Sequence, residues 1–210
     1  MTNPPDDTAS GRTPVIGLTG PIGCGKTTVA GWLADRGAVV VDADVVAREM
    51  TAPGRPAHDA ILSLFGDGVR ATDATLDRAA LARVVFRDPV YLAQLEAIVH
   101  PVVRPRILEL VAEASKAGAP AVVIEAIKLV EGGLSQICDE VWLVTCDPVV
   151  QRERIVDRGA TRADADARMA TQAGMTERLR SDATRVIDTS GPTADARARV
   201  AAAWANIVNP

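Results

Sequence analysis

A glycine-rich segment near the start of the chain limits the folds that this sequence can adopt. Residues 15–28 read VIGLTGPIGCGKTT and fit the pattern Gly, four residues, Gly, Lys, Ser/Thr, which is the Walker A motif or P-loop. An apolar strand precedes the motif and an apolar helix follows it, which is the context that the motif requires. The sequence therefore predicts a phosphate-binding loop between a β-strand and an α-helix.

The residue types of this loop suit a bound polyphosphate. Glycines permit backbone angles that a Cβ disfavours, so successive amide groups can turn toward phosphate oxygens. The helix that follows adds the positive end of its dipole. Lys26 is predicted to contact the β- and γ-phosphates, and the Thr27 hydroxyl to bind Mg²⁺. The predicted ATP-binding residues of the loop are Gly23, Cys24, Gly25, Lys26, Thr27 and Thr28.

Length and composition exclude several classes of protein. The 210 residues suit one domain, or one domain with an inserted lobe, and 48% hydrophobic residues exclude a disordered chain. A net charge of −4 and 3% aromatic residues disfavour a nucleic-acid partner. Cys24, Cys138 and Cys146 fit no metal-ligand spacing and predict reduced thiols in a cytoplasmic protein. No signal peptide or membrane-spanning run is recognised, so no membrane partner is expected.

Apolar strands alternate with helical segments along most of the chain. Strands without polar alternation indicate a parallel sheet that is buried by helices on both faces. After the strand that begins at Val15, the predicted strands are 38–41, 121–125, 141–145 and 185–188, and a last helix covers 193–208. The predicted fold is an α/β, three-layer P-loop NTPase fold with a five-stranded parallel sheet.

Composition shifts divide the predicted fold into parts. Residues 1–13 form a polar tail that is expected to be disordered. Residues 14–50 and 119–210 form the predicted nucleotide-binding core, with an Arg-rich lid at about 152–180. Residues 51–118 are helical and form a predicted acceptor-binding lobe between the second and third strands. Within it, Pro101 and Pro105 are expected to break or kink the helical stretch over 90–116.

Acidic residues follow two of the predicted strands, at the sheet edge where ligands of parallel sheets bind. For Asp42 and Asp44, one carboxylate faces the cleft while the other turns away or caps, or both cap the next helix. We predict that Asp44 is the residue that accepts a proton from an attacking hydroxyl. Glu125 ends the third strand and either binds Mg²⁺, directly or through water, or makes local hydrogen bonds.

A run of mixed charge precedes the fifth strand and contains Arg152, Arg154, Arg158, Arg162 and Arg168. Such a run is either the ion-paired exterior of a helix or a lid whose guanidinium groups reach the polyphosphate. We predict a catalytic role for Arg154 and ATP binding for Arg158. His100 precedes Pro101 in the helical lobe, and the sequence alone leaves open a structural or a functional role.

Together these features describe a kinase that acts on a small molecule. A P-loop GTPase would need an Asn-Lys-x-Asp motif, which the sequence lacks. A binding module without catalysis has no use for Asp44 or for a lid. Another P-loop kinase of nucleosides or small alcohols stays an alternative.

Several segments, in order along the chain, resemble the dephospho-CoA kinase family. They are 17–28, 40–44, 47–49, 98–101, 129–131, Gln172, 186–188 and 190–191, so the resemblance covers about residues 14–192. The family transfers the γ-phosphoryl group of ATP to the ribose 3′-hydroxyl of dephospho-CoA, the last step of coenzyme A synthesis. The resemblance implies the same reaction here, with Mg²⁺ and in the cytoplasm.

The resemblance also implies roles for single residues. Asp44 would be the base, Lys26 the phosphate clamp and Arg154 the arginine near the nucleotide, while Arg48 and His100 would contact the acceptor. Three positions depart from the family pattern. Lys128 stands where an apolar residue is usual, Thr189 replaces an asparagine near the predicted adenine contacts, and Pro21 replaces a glycine in the loop.

Overall fold

Five parallel strands form one sheet that places the P-loop at its centre. The computed structural model describes residues 12–208. The strands are β1 Val15–Thr19, β2 Val39–Asp42, β3 Val122–Glu125, β4 Glu140–Thr145 and β5 Arg185–Asp188. Their order across the sheet is β2-β3-β1-β4-β5, and every neighbouring pair is parallel. The predicted five-stranded parallel sheet is confirmed.

Helices connect these strands. In chain order they are α1 Lys26–Ala34, α2 Ala43–Met50, α3 Pro56–Phe65, α4 Arg78–Val85, α5 Pro89–Lys116, α6 Pro148–Asp157, α7 Arg162–Thr171, α8 Met175–Leu179 and α9 Thr193–Val208. No helix within residues 12–208 has the combination of length and apolar character that a bilayer span needs. The predicted disordered tail falls largely on residues 1–11, outside the described residues.

Hydrophobic clusters cover both faces of the sheet. Because side chains alternate along a strand, Ile16 and Leu18 face one side and pack with Leu33 of α1 and Trp204 of α9. Val15 faces the other side, in a cluster that includes residues of α2 and α5. Full burial of such a side chain contributes roughly 1.5–3 kcal/mol. This packing fixes the sheet and hence the direction of the loops at its carboxyl edge.

Helices α3, α4 and α5 come between β2 and β3 in the sequence and have a hydrophobic cluster of their own. Its buried residues are Ile61, Val69, Leu76, Leu81 and Val85, with partly buried neighbours. The α5 helix continues for 28 residues through Pro101 and Pro105. Of the expected break or kink at these prolines, the break is therefore wrong. Residues of α5 are buried against α2 and the sheet, and this packing outweighs the lost hydrogen bonds.

The cysteines also differ from expectation, because Cys24 and Cys146 form a disulfide with their Cα atoms 5.1 Å apart. These residues are 122 positions apart in sequence. They meet because β1 pairs with β4, so that the loop after β1 lies beside the residue that follows β4. The prediction of reduced thiols holds for Cys138, which is free, and is wrong for the other two.

Candidate active site

The P-loop takes its shape from glycines that pack against the core. Gly20 has φ +141°, and a Cβ there would lie 2.1 Å from the carbonyl oxygen of Val144. Gly23 has φ +80°, and a Cβ there would lie 3.0 Å from the carbonyl oxygen of Gln151 on α6. Another residue at position 20 would collide with the backbone of β4. At position 23 another residue would be strained by the positive φ and would crowd α6, so both positions favour glycine.

Lys26 is buried at the start of α1 and lies along the loop. Its Nζ donates to the carbonyl oxygens of Gly20, at 2.8 Å, and Pro21, at 3.2 Å. Burial lowers the pKa of Lys26, and the nearby Glu125 carboxylate opposes that shift. The proline in place of the usual glycine therefore still supplies an acceptor to the lysine. The ammonium group is held at the mouth of the loop, where phosphate oxygens would arrive.

Thr27 and Glu125 bring two oxygen-bearing side chains together from distant parts of the chain. The Thr27 hydroxyl donates to Glu125 Oε1 at 2.8 Å. Glu125 is 8% exposed, and burial raises its pKa, whereas the hydrogen bond from Thr27 lowers it. The carboxylate thus lies at the end of β3 beside the first turn of α1, with little solvent around it.

Asp42, the last residue of β2, and Asp44, in the first turn of α2, have different partners. Asp42 caps α2, because its Oδ1 accepts from the backbone N–H groups of Asp44 at 2.8 Å and Val45 at 3.2 Å. Within residues 12–208, the Asp44 side chain makes no hydrogen bond or ion pair. Both Asp42 and Asp44 line one cavity, which is described below. Asp44 is therefore the acid whose oxygens remain available to a ligand.

These groups line a cavity of about 160 Å³ at the carboxyl end of the sheet. Its walls include P-loop residues, Lys26, Thr27, Asp42, Asp44, Glu125 and Arg158. A second cavity of about 300 Å³ adjoins it and shares Gly25 and Arg158 with it. Trp32, Arg154, Thr189 and Thr193 line the second cavity. The two cavities together extend from the acids, across the P-loop, to the space between α1, α6 and α9.

Arg154 extends from α6 to the loop after β5. Its guanidinium donates to Thr189 Oγ1 at 2.9 Å and to the Thr189 carbonyl oxygen at 2.8 Å. The Thr189 hydroxyl in turn donates to the Cys24 carbonyl oxygen at 2.8 Å. Arg154 therefore lies beside the P-loop with its position set by Thr189, and Arg158 directly follows the last residue of α6.

Two glutamines hold the P-loop backbone. Gln172 was among the positions of the family resemblance but had no predicted role, and Gln151 was missed. Gln151 Nε2 donates to the carbonyl oxygen of Ile22, and Gln172 Oε1 accepts from the N–H of the same residue, both at 2.8 Å. Gln151 is buried and shares one face of α6 with Ile155. A glutamine four residues before Ile155, on the face of α6 that is buried, was the sequence feature that could have indicated a buried hydrogen bond at Gln151.

Some predicted residues lie away from both cavities. His100 is exposed on α5, and Arg162 is exposed at the start of α7. Arg48 lies in the last turn of α2, one turn beyond Asp44. The buried histidine is His58, whose Nε2 contacts the Ala74 carbonyl oxygen at 3.0 Å and which packs inside the helical lobe.

The sequence matches known kinases over nearly its whole length. Residues 14–195 match the family model described as dephospho-CoA kinase. The chain belongs to the dephospho-CoA kinase family. A relative from Symbiobacterium thermophilum, named dephospho-CoA kinase, is 44% identical over 90% of this chain and 80% of its own. A relative of the same name from Streptomyces avermitilis is 45% identical over 92% of this chain and 94% of its own.

Solved structures share the fold of this chain. The structure of TT1252 from Thermus thermophilus has a TM-score of 0.76 and 35% identity, covering 93% of this chain and 98% of its own. Dephospho-CoA kinase from Campylobacter jejuni shares the fold, with a TM-score of 0.67 and 24% identity, covering 92% of this chain and 96% of its own.

Two departures from the dephospho-CoA kinase pattern have structural partners. Lys128 forms an ion pair with Glu96 of α5, which joins the loop after β3 to the helical lobe. The pair is partly exposed, so it contributes little to stability. Thr189, in place of the family's asparagine, uses its hydroxyl for Cys24 and Arg154. The first departure therefore connects two parts of the molecule, and the second supports the P-loop.

Proposed function

We propose that this chain transfers the γ-phosphoryl group of ATP to the ribose 3′-hydroxyl of dephospho-CoA, giving coenzyme A and ADP. The family membership supports the reaction, and one geometric observation carries the assignment of the site. Asp44, free of capping contacts, lines the same cavity as Lys26 and Thr27. A proton acceptor and a phosphate-binding loop therefore face each other across one cavity, as transfer to an alcohol requires.

On the donor side, the P-loop amides and Lys26 hold the β- and γ-phosphates. Arg158 lines both cavities, and Arg154 lines the larger one, where Trp32 offers a flat apolar wall for the nucleoside. Guanidinium groups distribute positive charge over several donors, so they stabilise the negative charge of a transferring phosphoryl group. Positioning and charge compensation supply most of the catalysis in such transfers.

On the acceptor side, Asp44 accepts the proton of the 3′-hydroxyl as its oxygen attacks phosphorus. Asp42 is less suited to this role, because capping of α2 fixes its carboxylate and its Oδ1 already accepts two backbone N–H groups. Residues 51–118 form the acceptor lobe in this proposal, and α6 and α7 form the lid. We expect the reaction to occur in the cytoplasm, where ATP is produced.

The donor set fits Mg²⁺. No group of three or more His, Cys, Asp or Glu side chains in the described part of the chain forms a metal cage. Mg²⁺ in kinases needs only one or two protein oxygens, because substrate phosphates and water complete its shell. Thr27 would be the direct ligand and Glu125 would act through water. Bound there, the ion would neutralise charge that develops on the phosphates.

An assay of ADP release tests this function. Purified protein is incubated with ATP and Mg²⁺ and with dephospho-CoA, adenosine, shikimate or a sugar in separate reactions. We expect rapid turnover with dephospho-CoA and formation of coenzyme A, identified by mass. Turnover of another acceptor without turnover of dephospho-CoA would reject the assignment. Turnover of none, in a protein that binds ATP, would favour a binding module.

A further inference from the structure

Two arginines lie near Asp44 without a carboxylate partner. Arg48 is in the last turn of α2, and Arg78 is the first residue of α4 in the helical lobe. Neither forms an ion pair with another residue of 12–208. Burial and then the charge of Arg48 lower the pKa of Arg78, while Asp44 opposes them. The three charged groups are therefore close enough to affect one another.

A buried threonine fixes Arg78 against α2. Thr51 is 3% exposed and follows the last residue of that helix. Its hydroxyl donates to the Ala47 carbonyl oxygen at 2.7 Å, so a lone pair remains to accept from Arg78 Nη2 at 3.0 Å. The guanidinium of Arg78 is thereby directed toward the end of α2.

The spacing along α2 places these groups on one face. Asp44, Arg48 and Thr51 are at positions i, i+4 and i+7, which lie above one another on a helix. At 1.5 Å per residue, Arg48 is about 6 Å and Thr51 about 10 Å from Asp44 along the helix axis. Arg48 and the Thr51 hydroxyl that accepts from Arg78 therefore lie on the same face of α2 as Asp44, the proposed base.

This arrangement brings two positive charges together, and the Asp44 carboxylate offsets them only in part. Arg78 occupies the first turn of α4, where the helix dipole favours Asp or Glu and disfavours a cation. Arg48 adds a like charge beside it. Residues that contradict local electrostatic preference are expected at functional sites, and paired guanidinium groups suit phosphate oxygens.

We propose that Arg48 and Arg78 together bind the 5′-diphosphate of the acceptor. The inference rests on the proposed function, because the acceptor is dephospho-CoA. Its reacting 3′-hydroxyl and its diphosphate are attached to the same ribose, so the diphosphate lies a short distance from the base. Arg48, about one helical turn from Asp44, and Arg78, held by Thr51 at the end of the same helix, lie at that range, whereas the phosphates of ATP would occupy the P-loop. Arg78 is thus a second acceptor-binding arginine, one that the sequence did not reveal.

Steady-state kinetics of Arg78→Met test this proposal. We expect KM for dephospho-CoA to rise about tenfold or more, because a charge-assisted hydrogen bond is lost. KM for ATP should change less than about twofold, and kcat at saturation should fall much less than KM rises. Arg48→Met should act in the same direction. Arg78→Lys, which keeps the charge, should recover part of the affinity.

Arg83→Met is the matched control, since Arg83 is exposed on the same helix and forms no ion pair within residues 12–208. It should leave both KM values unchanged. Thermal unfolding of each variant shows whether the fold is kept. A KM for dephospho-CoA in Arg78→Met equal to that of Arg83→Met would overturn the inference, as would an equal rise in KM for ATP. Failure of the proposed function looks different, because the wild type itself would not phosphorylate dephospho-CoA.

Discussion

Asp42 and Asp44 show how two capping hydrogen bonds distinguish residues of the same type. Both line the cavity, but Asp42 caps α2 and Asp44 does not. We predict that Asp44→Asn lowers kcat by a factor on the order of 10² or more, because the amide cannot accept the proton. KM for ATP should change little, since no P-loop contact is lost. Initial rates at saturating ATP and dephospho-CoA measure the effect.

The control for this prediction is Asp42→Ala. Loss of the cap should lower the free energy of unfolding by about 1 kcal/mol, measured in urea. If Asp44→Asn weakens ATP binding as strongly as it slows turnover, Asp44 acts in metal binding or in structure instead.

Glu125 gives a second prediction, which concerns pH. Burial raises its pKa in the folded state above the ordinary value of 4.5, so the folded protein holds this proton more tightly than the unfolded chain. The contribution of this group to stability is therefore complete at low pH and is lost as pH rises through the raised pKa. Glu125→Gln removes the charge and keeps an acceptor for the Thr27 hydroxyl. We expect the nucleotide-free variant to be more stable than wild type at pH 7 and equally stable below pH 4.5.

The same variant should need more Mg²⁺. A residue that orients a metal ligand or its water typically changes metal affinity by about 10–100-fold, so half-maximal activity should require roughly tenfold more Mg²⁺. Urea unfolding at several pH values and Mg²⁺ titration of activity check the two effects separately. Lower stability at pH 7 together with an unchanged Mg²⁺ requirement would show that Glu125 is purely structural.

At the scale of elements, Arg152 and Arg154 of α6 contact different parts of the molecule. Arg152 pairs with Asp166 of α7, whereas Arg154 contacts Thr189 and lines the larger cavity. We predict that Arg154→Ala lowers kcat by a factor on the order of 10², since it removes a donor that acts on the transferring group. KM for dephospho-CoA should change much less. Arg152→Ala is the matched control on the same helix and should reduce kcat only slightly. A large rise in KM for dephospho-CoA in Arg154→Ala, at constant kcat, would contradict the role.

The elements show where sequence reasoning succeeds and where it ends. The P-loop and the strands were predictable because local patterns, such as glycine spacing and continuous apolar runs, determine them. The continuation of α5 through Pro101 was not predictable from local patterns, because packing against α2 and the sheet determines it. Arg78 and Gln151 were also missed. Their partners, Thr51 and Ile22, are far along the chain, and no local pattern records such contacts.

At the scale of the whole molecule, the strand order explains how the site is assembled. With β1 between β3 and β4, the loop after β1 and the start of α1 meet residues at the carboxyl ends of both neighbouring strands. Thr27 therefore reaches Glu125 on one side, and Cys24 reaches Cys146 on the other. The central position of β1 is thus the reason that donor binding, the proposed metal ligands and the disulfide are concentrated around one loop.

The disulfide leads to a prediction for the whole chain. It closes a loop across 122 positions, so its reduction should lower the free energy of unfolding by about 2–4 kcal/mol. Cys146→Ser should have the same effect without reductant. Turnover below the melting temperature should change little, because Gly20, Gly23 and the two glutamines hold the P-loop independently of the bond. Urea unfolding with and without dithiothreitol measures the change in stability.

Cys138→Ser provides the control. Burial raises the pKa of the Cys138 thiol to about 12, so this residue stays protonated and does not exchange with the disulfide. The variant should therefore keep the full sensitivity to dithiothreitol. If reductant leaves the unfolding of wild-type protein unchanged, Cys24 and Cys146 are packed thiols rather than a covalent link. If reduction instead abolishes turnover while the fold persists, the bond itself holds the P-loop in its active shape.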